Sequence, residues 1–172
     1  MNIHPEIFRE YDIRGIVGKD LDETVIERIA KGYAAYMRGK RHHNTVVIAR
    51  DGRLSGRAFA NAAIDGLASA GFNVVDIGQV PTPVCYFALN TLKVDGGFMI
   101  TASHNPKEYN GMKVAVGKTT IYGEKIQKLR RLTEAGVYPT SNKPITITRM
   151  NIIPAYMRRI ARDIKLKRKL KI

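Results

Sequence analysis

Cysteine, tryptophan and long apolar runs are scarce or absent in this chain. One cysteine among 172 residues excludes an internal disulfide. No apolar run approaches the roughly 18 to 20 residues that a membrane-spanning helix needs. Residues 1–6 (MNIHPE) lack the basic-then-apolar layout of a secretory signal. These absences favour a cytoplasmic protein with no membrane partner. Cys85 itself lies in an apolar helical stretch, which predicts a place in the core.

Acidic residues are also few, with 15 Asp and Glu against 29 Lys and Arg and a net charge of +14. Half of that excess, +7, lies in residues 157–172. Such a block could bind nucleic acid or an anionic surface. It contains no aromatic residue on which a base could stack. A solvated tail is therefore the preferred interpretation, and nucleic-acid binding is kept as an alternative.

What the chain does have is an alternation of helix and strand patterns. Strands are predicted at residues 45–49, 73–77, 96–101 and 112–116, and helices at 21–38, 55–70, 83–92, 122–135 and 151–164. Alternation at this spacing implies crossover connections, and hence a mainly parallel sheet with helices on both faces. The last strand follows the third closely enough to pair with it antiparallel. The fold class is α/β.

The segment most informative about function is residues 101–106 (TASHNP), directly after the buried strand. Open α/β sheets place their chemistry at the carboxyl ends of strands. Ser103 there could act as a nucleophile or carry a phosphoryl group. A polar turn in which His104 is hydrogen-bonded is the alternative. A serine hydrolase is disfavoured, because adjacent Ser and His do not make a triad and no G-x-S-x-G elbow is present.

Four further motifs stand around this segment, in the order 8–15 (FREYDIRG), 50–56 (RDGRLSG), 80–83 (VPTP) and 107–113 (KEYNGMK). Together they resemble the first domain of the α-D-phosphohexomutases, in particular the phosphomannomutase/phosphoglucomutase branch. The resemblance runs from about residue 7 to 132. It implies a three-layer α/β/α sandwich with a mainly parallel four-stranded sheet and one antiparallel strand.

The resemblance also implies roles for individual residues. Ser103 matches the phosphoserine that gives a phosphoryl group to one hydroxyl of a hexose phosphate and takes one back from another. His104 could donate to the phosphate or move a proton. Lys113 could neutralise the transferred group. Arg14 offers a planar fork for phosphate oxygens, and with Tyr11 it matches positions that line the cleft.

Two local predictions concern how these residues meet. Asn110-Gly111 is a turn signal, and a turn there would bring Lys113 back beside Ser103. Arg50, Asp51 and Arg53 follow a strand, where they could form an ion-pair network or contact the substrate directly, and the network is favoured.

Magnesium and a sugar bisphosphate intermediate belong to the implied reaction. A phosphate on Ser103 would be this chain's one magnesium ligand, because the family's alternating aspartates are not found here. Residues 1–138 are predicted to form the phosphoserine domain. Residues 139–172 are predicted to be a connector helix and the start of a second domain. The partners expected are a hexose phosphate and the remaining domains, without which little turnover is expected. A phosphate-binding module without chemistry is the alternative.

Overall fold

The computed structural model describes residues 3–40 and 42–165, which form helices packed on both sides of one sheet. The strands are β1 (Ile13–Ile16), β2 (Thr45–Arg50), β3 (Asn73–Gln79), β4 (Gly96–Ile100), β5 (Tyr109–Val116), β6 (Thr119–Thr120) and β7 (Ile147–Arg149). The helices are α1 (Glu23–Tyr36), α2 (Gly56–Ser69), α3 (Thr82–Thr91), α4 (Glu124–Ala135) and α5 (Ile153–Asp163). None of these helices has the length and apolar character required to cross a bilayer.

The strand order across the sheet is β1-β5-β4-β2-β3-β7, with β6 paired to β5. Strands β4, β2, β3 and β7 are mutually parallel, whereas β5 pairs antiparallel with β4, β1 and β6. Among the described strands, β5 alone therefore runs against the rest. The predicted α/β sandwich with one antiparallel strand is confirmed, and β1, β6 and β7 are additional to the four predicted strands.

The sheet separates two apolar cores. Helices α1, α2 and α4 bury residues such as Ile26, Phe59 and Leu129 against one face, where Phe98 of β4 is fully buried. Helix α3 covers the other face, and Cys85 lies in that core as predicted. Because the central strands β2 and β4 are covered on both faces, they are nearly continuous apolar runs, and all five residues of β4 are buried.

Local signals set the helix ends. The Asp22 carboxylate accepts the Val25 N–H at 2.7 Å and so caps α1. Gly136, with φ of 68°, ends α4 in the left-handed conformation that glycine adopts without strain. Ser55 stands at the cap position of α2 but makes no capping bond. Its hydroxyl instead accepts a hydrogen bond from the Asn110 side chain at 2.8 Å.

The predicted turn at Asn110-Gly111 is wrong, because both residues lie within β5 and both are buried. The chain reverses earlier, over residues 101–108. Gly111 pairs with Arg14, and a Cβ there would lie 2.0 Å from the Ile13 carbonyl oxygen. Glycine is needed at this position for close approach of two strands, and not for a turn. Lys113 is therefore placed by the β5 register opposite Met99.

Residues 139–165 are attached to the rest of the described chain. Strand β7 pairs in parallel with β3, and α5 packs on α3 through the Tyr156 and Phe87 rings, whose centroids are 5.4 Å apart. The domain boundary at residue 138 stays a prediction. The predicted start of a second domain is the segment 165–172, of which all but the first residue lies outside the described residues.

Candidate functional site

The Ser103 loop, residues 101–108 at the carboxyl end of β4, presents Ser103 to solvent. Its backbone is left-handed, with φ of 58°, which is uncommon for a residue with a side chain. Both Ser103 and His104 are exposed, and the Ser103 Oγ lies 3.2 Å from the His104 Nδ1. A hydroxyl held at a loop tip beside an imidazole can exchange a proton with it.

Two cations, on β1 and β5, are linked to this loop: Arg14 by a direct hydrogen bond, and Lys113 only through Asp12 and Arg14. Arg14 of β1 donates to the Asn105 side-chain oxygen at 2.7 Å and forms an ion pair with Asp12. The Lys113 Nζ of β5 lies 3.4 Å from the same Asp12 carboxylate oxygen. The register pairs Arg14 with Gly111, two residues from Lys113, so both side chains leave the same face of the sheet.

The electrostatic balance of this group is positive. The Asp12 carboxylate is buried and lies between the two cations, whose side chains are 14% and 23% exposed. Two partly buried positive charges share one negative charge, so the group retains an excess of one positive charge. A surface of this kind stabilises a bound anion such as a phosphate.

Tyr11, the remaining predicted site residue, is 69% exposed. Its ring faces the Tyr122 ring, with 6.4 Å between the centroids. Tyr122 is also exposed and precedes α4. The two rings form an open aromatic pair, and no hydrogen bond ties Tyr11 to the Ser103 loop among those seen in the described residues.

The RDGR segment, from the last residue of β2 to Arg53, supports the Ser103 loop by hydrogen bonds. Asp51 and Arg53 form an ion pair at 3.3 Å, which confirms the predicted network for these two residues. Arg53 donates to backbone carbonyls of the Ser103 loop. Arg50 is not part of this support; its guanidinium donates to the Gln79 side chain at 2.9 Å.

Magnesium prefers octahedral oxygen coordination and is usually held by one or two carboxylates together with phosphate oxygens and waters. Within residues 3–40 and 42–165, no three His, Cys, Asp or Glu side chains lie close enough together to hold a metal ion. The nearby carboxylates are already engaged, Asp12 by two cations and Asp51 by Arg53. The residues present do not build a magnesium site, and a phosphate on Ser103 as a metal ligand stays a prediction.

Two contributors to this site were missed from the sequence. From the sequence, Asp12 is only one member of the motif at residues 8–15, whereas in the structure it joins Arg14 to Lys113. For Arg53 the sequence predicts an ion-pair network, with direct substrate contact as the alternative, whereas most of its bonds in the structure reach residues more than 50 positions away. A charged residue just past the end of a strand adjacent to the Ser103 strand was the available signal.

Comparison with known proteins agrees with this architecture. The family profile described as phosphoglucomutase/phosphomannomutase, alpha/beta/alpha domain I, matches residues 5–138. A phosphomannomutase/phosphoglucomutase of Pseudomonas putida is 40% identical over 166 residues, which are 96% of this chain and 35% of that protein. A phosphoglucomutase of Neisseria meningitidis is 38% identical over 171 residues, covering 99% of this chain and 37% of that protein.

A solved structure gives the same result. The crystal structure of a phosphoglucomutase/phosphomannomutase family protein from Burkholderia thailandensis superposes with a TM-score of 0.91 and 40% identity, over 97% of this chain and 38% of that one. The chain thus spans little more than a third of the length of these relatives. It belongs to the phosphoglucomutase/phosphomannomutase family and corresponds to the N-terminal α/β/α domain I.

Proposed function

We propose that this chain carries the phosphoserine of a phosphohexomutase, in which Ser103 transfers a phosphoryl group between the 1- and 6-hydroxyls of a hexose. The observation that supports this most is the exposed, left-handed Ser103, linked through Asn105 to Arg14 and through Asp12 to Lys113. Membership of the family supports the same reaction class. The substrate proposed is a hexose phosphate.

In the first half-reaction, a free hydroxyl of the bound hexose phosphate attacks the phosphorus of phosphoserine 103. The bond from phosphorus to Oγ breaks as the new phosphorus–oxygen bond forms, which yields a hexose bisphosphate. The attacking hydroxyl loses a proton, and the Ser103 Oγ gains one. The sugar turns over, and the other phosphoryl group returns to Oγ by the same step in reverse. Little covalent chemistry is asked of the protein beyond positioning and charge stabilisation.

The side chains have separate parts in this scheme. His104, with its Nδ1 3.2 Å from Oγ, donates the proton that the departing serine oxygen gains. Arg14 and Lys113 supply positive charge where negative charge gathers on the moving phosphoryl group. Tyr11 offers an exposed ring against which a sugar can pack. A magnesium ion, when bound, would add further charge neutralisation, but its remaining ligands would come from outside the described residues.

Transfer of a phosphoryl group to Ser103 tests this proposal directly. The 172-residue chain is incubated with glucose 1,6-bisphosphate and magnesium, and its intact mass is measured over time. We expect a gain of one phosphoryl group, located by peptide mapping to Ser103. The variant Ser103→Ala should gain nothing. The matched control Ser141→Ala, in the segment between α4 and β7, should behave as the unaltered chain does.

The rival function is a phosphate-binding module without chemistry. That module would bind the bisphosphate, as seen by calorimetry or by chemical-shift changes near residues 101–113, with no gain in mass. Binding without covalent transfer would therefore contradict the proposal. The full mutase reaction, with the other domains as partners and a cytoplasmic location, is proposed for the longer protein that the relatives represent.

A further inference from the structure

The guanidinium of Arg53 is saturated with hydrogen bonds. An arginine side chain carries five N–H donors in a rigid plane. Here each donor has an acceptor. Four of the five acceptors are backbone carbonyl oxygens of the segment that presents Ser103. The acceptors are Asp51 Oδ2 at 3.3 Å, Pro106 O at 2.7 Å, Tyr109 O at 2.8 Å, Ser103 O at 3.0 Å and Asn105 O at 2.7 Å.

A second chain of bonds, through Asp51 and Thr101, fixes the same loop. Asp51 accepts the Thr101 hydroxyl proton at 2.7 Å, and the Thr101 oxygen in turn accepts the Ser103 N–H at 2.9 Å. Asp51 also accepts the Arg53 backbone N–H at 3.0 Å, which holds the RDGR segment itself in shape. Both the N–H and the C=O of Ser103 are therefore tied to this short segment after β2.

We propose that Arg53 is a positioning residue for the phosphoserine, resting on the function proposed above. Left-handed backbone at Ser103 costs of order 1–2 kcal/mol and persists only where the surroundings hold it. Arg53 holds it by gathering the loop carbonyls around one cation. That arrangement also directs four carbonyl oxygens, each with a partial negative charge, toward Arg53.

This role differs from substrate binding. With all five donors engaged inside the protein, Arg53 has none to offer a sugar phosphate without releasing the loop. Lysine could keep the positive charge, but its ammonium group has three donors and no planar fork. The inference therefore predicts that charge alone is insufficient, and that the five-bond geometry determines how fast Ser103 reacts.

The experiment compares Arg53→Lys and Arg53→Gln with the matched control Arg57→Lys, an exposed position on α2. Phosphorylation of Ser103 by glucose 1,6-bisphosphate is followed by intact mass over a range of bisphosphate concentrations. All proteins are kept below the melting temperature of the least stable one. We expect both Arg53 variants to lose about 10- to 100-fold in maximal rate, the cost of misplacing a reacting group by about 1 Å. Their half-saturating concentration should change little.

Limited trypsin digestion gives a second measurement that needs no phosphorylation. Lys107 lies in the Ser103 loop, whose carbonyls Arg53 holds. Lys118 lies in the exposed turn between β5 and β6 and serves as an internal reference. Cleavage after Lys107, relative to Lys118, should rise in both Arg53 variants and stay unchanged in Arg57→Lys.

The outcomes separate the two proposals. If the unaltered chain takes up no phosphoryl group, the proposed function fails. If it does, and both Arg53 variants match its rate and its Lys107 protection, the positioning role is refuted while the proposed function stands. A lower melting temperature with an unchanged maximal rate would also refute the positioning role, since it would mark Arg53 as purely structural.

Discussion

Replacing Gly111 with alanine tests the strand pairing that carries the two cations of the site. In a strand with free space around the new methyl group, this change would stabilise the protein by about 0.5–1 kcal/mol, because glycine loses more backbone entropy on folding than alanine does. At Gly111, however, the new Cβ would lie 2.0 Å from the Ile13 carbonyl oxygen and 2.9 Å from the Arg14 Cα. Both atoms belong to the backbone of β1, so no side chain can rotate away to relieve the clash.

The size of the effect follows from the distance. A carbon atom and a carbonyl oxygen approach to about 3.3 Å at closest, so β1 would have to move by more than about 1 Å from β5. Overpacking of this kind costs about 1–3 kcal/mol, and the lost stretch of ladder adds to it. We expect a loss of about 3 kcal/mol in the free energy of unfolding. For a chain of this length that is a fall of roughly 6–12 °C in melting temperature.

Thermal unfolding followed by circular dichroism measures this, with Gly56→Ala as control. A Cβ at Gly56, the first residue of α2, would meet nothing closer than 3.5 Å, so its melting temperature should stay the same or rise. Equal melting temperatures for Gly111→Ala and the unaltered chain would show that β1 does not approach β5 as described. The placement of Arg14 beside Lys113 would then lose its basis.

Two further predictions concern buried ionisable groups. Burial alone would raise the pKa of Asp95, but backbone N–H groups of residues 42–45 donate to its carboxylate and bring the pKa below its usual value. The resulting stability is present in full above pH 4 or so and is lost as the pH falls through the lowered pKa. Asp95→Asn should therefore cost about 1–2 kcal/mol of unfolding free energy at pH 7, measured by urea titration. The difference in unfolding free energy between the variant and the unaltered chain should shrink below pH 4. A difference that does not change with pH would contradict this. Burial also raises the pKa of the Cys85 thiol to about 12, so a disulfide reagent at pH 8 should label it only after unfolding, and rapid labelling of the native chain would place Cys85 at the surface instead.

Much of the fold follows from local pattern, because the long helices and central strands carry their own signals. The helix that became α1 has apolar residues at helical spacing and a capping aspartate, and β4 is an unbroken apolar run. Strands β1 and β7 carry no such signal. Strand β7 is three exposed residues, and β1 contains Arg14 and Gly15, so each is a strand only because a neighbouring strand supplies its hydrogen bonds.

The candidate site, like the fold, follows only in part from the sequence. The position of Ser103 and His104 after a buried strand makes them candidates, and the family resemblance adds Arg14, Lys113 and Tyr11. The structure links all of these except Tyr11, through Asn105 and Asp12. The roles of Asp12 and Arg53 depend on contacts between residues 50 to 101 positions apart. A local sequence pattern cannot predict contacts over such separations. The turn predicted at Asn110-Gly111 is wrong for the same reason, because the glycine is required by its pairing with β1, which is distant in sequence.

The position of β1 at the border of the sheet has a consequence for how the molecule comes apart. A border strand bonded on one side opens at a lower free energy than the centre of a sheet, and it does so without global unfolding. Arg14 would leave with it, and β5 would be left with an unpaired edge. Hydrogen exchange at residues 13–16 should therefore be faster than at residues 96–100, so that the contacts of Arg14 with Asp12 and Asn105 open before the interior melts.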